Sequence, residues 1–330
     1  MTYDIFGFGN TLVDILIKVD ESHIAELDLR KGTFHLVEEA KMADVLRRFD
    51  SSEKKVIPAG SAANTVFAAA SLGASTVLCG KLGNDRYGSL YEEIIIEDNV
   101  KSALKRTSGS KTGTVINLVT SDGERTFVVN LGAAVTITKE ELGDVEDDLK
   151  SSRIFHTEGY VIAHDALTEP TLHLLRTAKR NGVMVSIDLS DSVLVENNLD
   201  LFRHVIEKYA DIAFFNEDEA MAFTCLGPEE AVERISELCG IAVVKTGSKG
   251  SLVKKRGKDT IRIKPVKAKV VDTTGAGDFY AAGFLYGLIR KKDITTCGNI
   301  GSAVAARVVE QMGARPPAGL RDMPGIKKFL

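Results

Sequence analysis

The chain has 330 residues, 44% hydrophobic and 27% charged, with a formal net charge of −4. That is enough apolar sequence for one large core or two, and it offers no basic surface for nucleic acid or anionic lipid. No apolar run reaches the ~20 residues of a membrane-spanning helix, and the opening MTYDIFGFGN lacks the basic segment of a signal peptide.

Along the chain, short apolar runs alternate with helical stretches. The β-rich runs are YDIFGFG (3–9), STVLCG (75–80), RIFHTEG (153–159), VMVSID (183–188), DIAFFN (211–216) and IAVVKT (241–246). Helices are expected over 61–72, 84–98, 165–181 and 217–239. Strands that are apolar throughout and alternate with helices predict a parallel sheet covered on both faces. Two regions break the rhythm. Residues 112–132 read as two strands around the Asp122-Gly123 turn, and 11–20 and 33–37 read as strands with no long helix between them. These four strands are expected to form a small separate sheet. The stretch from Gly275 to Met312 reads as helix, interrupted near Lys291–Asp293.

The sequence VKAKVVDTTGAGDFYAAGFLYGLI predicts a strand ending at Asp272, a glycine-rich turn and a helix. Such a turn points backbone N–H groups outward, with the helix dipole behind them, and suits a phosphate. An aspartate at position 278 would repel that phosphate. It fits if Asp278 is a base that takes a hydroxyl proton while the amides of Gly275, Ala276 and Gly277 hold the developing charge. The alternative is that Asp278 only complements the dipole. Other nucleotide signatures fail. GFGN (7–10) has Leu12 where a dinucleotide fingerprint needs its third glycine, and GASTVLCGKL (73–82) has the wrong spacing for a Walker A loop. The six histidines show no metal spacing. Cys79, Cys225, Cys239 and Cys297 are far apart, which suits a reduced, cytoplasmic protein without structural zinc.

DTTGAGDFYAAGF resembles the second signature of the ribokinase-like, or pfkB, family of sugar and nucleoside kinases. AGSAANTVFAAASLGASTVLCGKLGNDRYG (59–88) resembles the first signature, NEDE (216–219) the family's Asn-x-x-Glu element, and KTGSKGS (245–251) its nucleotide loop. All four stand in family order. The resemblance implies an α/β fold of three layers, α/β/α, with a small β-sheet lid. Residues 1–10, 39–111 and 133–330 would form the large nucleotide-binding domain, and 11–38 and 112–132 the lid. GFGNTLVDI, LDLRKGTFHLV and GERTFVVNLGAA are most similar to the adenosine-kinase-like branch.

The resemblance also implies site residues. Asn10 and Asp14 follow the first strand, and a carboxylate there suits the vicinal hydroxyls of a sugar; the plain alternative for Asp14 is a surface residue opening a strand. Gly60, Ser61 and Asn64 would contact the acceptor, although Ala59-Gly60 replaces the glycine pair of many members. Asn64 could instead cap its own helix. Asn216 and Glu219 would face the phosphates, with Glu219 reaching Mg²⁺ through water, or simply begin an acidic helix. Thr246, Gly247 and Gly250 would shape the loop beside the nucleotide's ribose and base. Arg125, at the end of the hairpin, could swing over the phosphoryl group or remain a solvated turn residue. Ser302 falls where the family often places an adenine-flanking Asn or His. Leu12, Phe34, Leu36, Val115 and Asn117 are candidates to line the acceptor slot.

The expectation is therefore a kinase using ATP and Mg²⁺, with a monovalent cation as an optional addition. It would act on a primary hydroxyl of adenosine or, as the alternative, of ribose or fructose. A non-catalytic nucleoside-binding module is the reading from another class. No nucleic-acid or membrane partner is expected, and a monomer and a homodimer fit equally.

Overall fold

The computed structural model describes residues 2–329; Met1 and Leu330, the outer bounds of the expected large domain, lie outside them. The apolar runs assemble into a nine-stranded sheet. Its spatial order is Ile261–Ile263, Ser251–Lys255, Ile241–Lys245, Ile212–Asn216, Met184–Asp188, Ser152–Glu158, Tyr3–Phe8, Thr76–Cys79 and Val100–Ser102. Every pairing is parallel except the two made by Ser251–Lys255. Successive side chains of these strands enter opposite layers. Phe6, Phe155, Val185 and Phe215 pack with Leu174, Val205 and Val232 on one side. Ile5, Ile154, Phe214 and Val243 pack with Phe279, Phe284 and Val304 on the other. The result is the expected three-layer α/β/α arrangement.

The second sheet has five strands, not four, in the order Phe34–Leu36, Arg125–Asn130, Gly113–Val119, Leu12–Lys18 and Lys55–Ala59. The fifth, which the sequence reading assigned to the large domain, is an edge strand carrying Pro58. A proline is tolerated at such an edge and weakens the strand signal. Leu12–Lys18 lies between Gly113–Val119, parallel, and Lys55–Ala59, antiparallel. Val13, Ile15, Ile17, Ile116, Leu118 and Val128 bury the back of this sheet. Its front keeps Leu12, Asp14, Phe34, Leu36, Val115, Asn117, Phe127 and Val129 for a cavity.

Three other expectations change. Residues 217–239 form two helices, Glu217–Thr224 and Pro228–Ser236, because Cys225 turns left-handed and Pro228 cannot continue the first helix. Residues 266–272 form no strand; the segment has no sheet neighbour, and Val266, Val270 and Val271 are exposed. The C-terminal helical region comprises Ala276–Ile289 and Ile294–Val308, ending before Met312. No helix among the described residues is long and apolar enough to cross a membrane.

Candidate active site

Several strands of the main sheet end in polar or charged residues at one edge: Glu158, Asp188, Asn216 and Lys245. Asn10 follows the Tyr3–Phe8 strand. In open parallel sheets this carboxyl edge is where ligands bind, because loops and helix N-termini converge there. Here the edge is the floor of a cavity of about 1280 Å³, and the front of the small sheet forms a wall.

Asp278 lies in the first turn of the Ala276–Ile289 helix and lines this cavity. Ser61 Oγ donates to its Oδ1 at 2.7 Å and Asn64 Nδ2 to its Oδ2 at 2.8 Å. Both carboxylate oxygens are thereby oriented by the Ser61–Ser71 helix. Burial, then the nearby Asp188 carboxylate, push the Asp278 pKa up to about 7. Ser61 and Asn64, expected to touch the acceptor, therefore spend these donors on Asp278. Asn64 Oδ1 and Asn10 Oδ1 remain buried without a partner, as does Asn117 Nδ2. These three orphaned groups belong to residues lining the cavity and fit hydroxyl groups of a ligand.

The glycine turn is built as expected, with one correction. Gly275 caps the helix at φ +76°, a left-handed conformation that favours glycine. The Ala276 N–H already donates to the Thr273 carbonyl at 3.1 Å. The N–H groups of Gly275 and Gly277 have no acceptor among the described residues, so of the three amides expected to hold an anion only these two are free to do so. Gly60 is also required, but for another reason than ligand approach. At φ +123° its Cβ would fall 1.9 Å from the Asn10 carbonyl oxygen, so the close approach is by the acceptor loop itself.

Asp14 faces the cavity from the small sheet. Burial pushes its pKa up to about 7, offset by Arg125 and Asn117. Glu158, fully buried on the floor, accepts from the Asn10 N–H at 3.0 Å and the Ala62 N–H at 2.5 Å. It thus ties the acceptor loop to the helix that orients Asp278. Burial raises its pKa to about 7.

At the other end, Asn216 and Glu219 form a reciprocal cap. Glu219 N–H donates to Asn216 Oδ1 at 2.8 Å, and Asn216 N–H and Nδ2 donate to the two Glu219 oxygens at 2.8 and 2.7 Å. The helix-start alternative and the cavity placement therefore both hold. Burial pushes Glu219 toward its neutral form while the Lys245 ammonium opposes this. No cluster of acidic, Cys or His side chains among the described residues could cage a metal directly. Asp188 and Glu219 on the floor instead suit a hydrated Mg²⁺ that keeps its waters.

Thirteen of the fifteen expected site residues line the cavity; Thr246 and Arg125 do not. Thr246 is buried behind the loop, its N–H given to the Gly250 carbonyl at 2.8 Å, while Gly247 and Gly250 reach the surface. Arg125 is clamped: it donates to Asp272 Oδ2 at 2.6 Å and Thr274 Oγ1 at 2.7 Å. It ties the small sheet to the start of the glycine turn and does not overhang the cavity. Ser302 lines the cavity and donates to the Lys264 carbonyl at 3.1 Å. Glu158, Asp188 and Lys245 escaped the sequence reading. Their shared signal is a charged residue closing an otherwise apolar strand.

A profile of the pfkB family carbohydrate kinases matches residues 43–319. An uncharacterized sugar kinase of Archaeoglobus fulgidus is 32% identical over 252 residues, 74% of this chain and 95% of that protein. The adenosine kinase of Saccharomyces cerevisiae is 27% identical over 343 residues, 96% and 98% of the two chains. Among solved structures, an adenosine kinase from Sinorhizobium meliloti superposes with a TM-score of 0.87 at 31% identity, covering 98% of each chain.

Proposed function

The chain belongs to the pfkB family of carbohydrate kinases, and from that premise we propose that it transfers the γ-phosphoryl group of ATP to the primary hydroxyl of a purine nucleoside, adenosine foremost. Asp278 takes the hydroxyl proton. Ser61 and Asn64 hold its carboxylate in place, and the Gly275 and Gly277 amides receive the charge on the phosphoryl group. Asp14, with Asn10, Asn64 and Asn117, binds the ribose hydroxyls. Val266 and Val270, with Ala305 and Val309, offer an apolar bed for the ATP base. Bound Mg²⁺, held by Glu219 and Asp188 through water, would neutralise phosphate charge. The small sheet acts as a lid that keeps water from the phosphoryl group.

One observation carries the choice of acceptor. Beside Asp14, the wall is apolar: Leu12, Phe34, Leu36, Val115, Phe127, Val129 and Leu131. Phe34 and Leu36 are 62% and 65% exposed. A flat purine would cover them, whereas ribose alone would leave them wet. The second reading, a sugar acceptor, draws on Glu158, a further buried carboxylate on the same side of the cavity. Calorimetry on the apoenzyme separates the two. Adenosine is expected to bind at least ~10-fold more tightly than ribose, because the added ring buries apolar wall. Tighter ribose or fructose binding would overturn the purine assignment and leave the kinase in place.

A further inference from the structure

Lys245 closes the Ile241–Lys245 strand and places its ammonium on the cavity floor. Its Nζ donates to Asp188 Oδ2 at 2.6 Å, and the two side chains are 13% and 4% exposed. That contact alone describes a buried ion pair. A second contact gives it a direction. A Cβ built on Gly277 would lie 2.9 Å from Nζ. The ammonium therefore stands against the turn whose free amides face the transferring group.

The electrostatic setting is lopsided. Asp188, Glu219 and Asp278 reach Lys245 from three different elements, and His156 stands in the same field from the Ser152–Glu158 strand. Lys267, the other lysine lining the cavity, is exposed on the 264–271 segment. The floor holds one buried cation among four carboxylates, Glu158, Asp188, Glu219 and Asp278. Beyond a bound Mg²⁺, this ammonium is therefore, among the described residues, the one buried positive side chain lining the cavity that can face a polyphosphate. In a low-dielectric pocket a mobile ammonium beside developing negative charge is worth far more than in water.

We propose that Lys245 is a catalytic cation that swings from Asp188 to the phosphoryl group during transfer. As the bond from phosphorus to the acceptor oxygen forms and the bond to the bridging oxygen of ADP breaks, Asp278 receives the hydroxyl proton. Lys245 keeps its own protons and contributes charge. A methyl group at position 277 would fall 2.9 Å from the ammonium, so an alanine there has to displace the tip of Lys245. The inference rests on the reading of residues 275–278 as the phosphoryl site.

Lys245→Met should lower kcat by ~10²–10³ with little change in the acceptor KM. That loss alone would also follow from stranding the Asp188 charge. The double variant Lys245→Met/Asp188→Asn removes the hydrogen-bonded pair together, and Asp188→Asn alone is its reference, because Asp188 is also placed beside Mg²⁺. It is expected to melt near the Asp188→Asn temperature while its kcat stays at least ~10²-fold below that of Asp188→Asn. A double variant whose kcat lies within ~3-fold of the Asp188→Asn value overturns the proposal and leaves Lys245 a structural partner of Asp188. If neither variant folds, Gly277→Ala decides, since that position is helical and alanine suits it. Its methyl group should displace the ammonium and cost ~10-fold or more in kcat; an unchanged kcat overturns the proposal. A wild-type protein without ATP-dependent turnover would instead sink the reading of the phosphoryl site itself.

Discussion

Asp278→Asn is expected to lower kcat by about 10²–10⁴ while acceptor binding survives. Asparagine keeps the shape of the side chain, and Ser61 Oγ and Asn64 Nδ2 remain near it. It cannot accept the hydroxyl proton, so the loss falls on the chemical step. The pH dependence carries the same signature. The Asp278 pKa is raised to about 7 by burial and by Asp188. The group must be ionised to work, so turnover should rise with pH and level off above about 7. In the variant that acid limb should vanish from the residual rate. A variant with near wild-type kcat would remove Asp278 from the role of base.

Asp14→Ala should raise the acceptor KM by ~10–10²-fold and change the ATP KM by less than ~3-fold. The reasoning starts from the small sheet. Asp14 pairs with Val115 on one side and Ile57 on the other, so its side chain is fixed on the cavity face by strand alternation. Removing it leaves ribose hydroxyls desolvated without an acceptor, and each such loss costs about 1–3 kcal/mol. The glycine turn at Gly275 and Gly277 belongs to the main domain, so ATP binding should be largely unaffected. Steady-state kinetics with each substrate varied in turn checks this. Equal increases in both KM values would take Asp14 out of the acceptor site.

How much of this was legible before the structure depends on how local the signal is. The glycine turn, the cavity-facing Asp278 and the Gly60-Ser61-Asn64 helix start are local, since backbone conformation and helix polarity are written into a few adjacent residues. The Asp122-Gly123 hairpin is local for the same reason, and its strands appear as Gly113–Val119 and Arg125–Asn130. The missed elements are set by partners distant in sequence. Lys55–Ala59 is a strand because Leu12–Lys18 pairs with it. Residues 266–272 have strand-like composition but no strand beside them. The clamp of Arg125 on Asp272 joins residues 147 positions apart, and no spacing rule reports that. Lys245 and Asp188 likewise meet only because their strands end at the same sheet edge. Glu158 holds the Asn10 and Ala62 amides from yet another strand.

The most direct measurement is ATP-dependent turnover by the purified protein with adenosine, inosine, cytidine, ribose and fructose offered separately. The apolar wall beside Asp14 predicts that kcat/KM for adenosine exceeds that for ribose and fructose by at least ~10-fold, the purine ring supplying binding that a sugar lacks. Ribose or fructose turning over more efficiently than adenosine would contradict the account of the acceptor site.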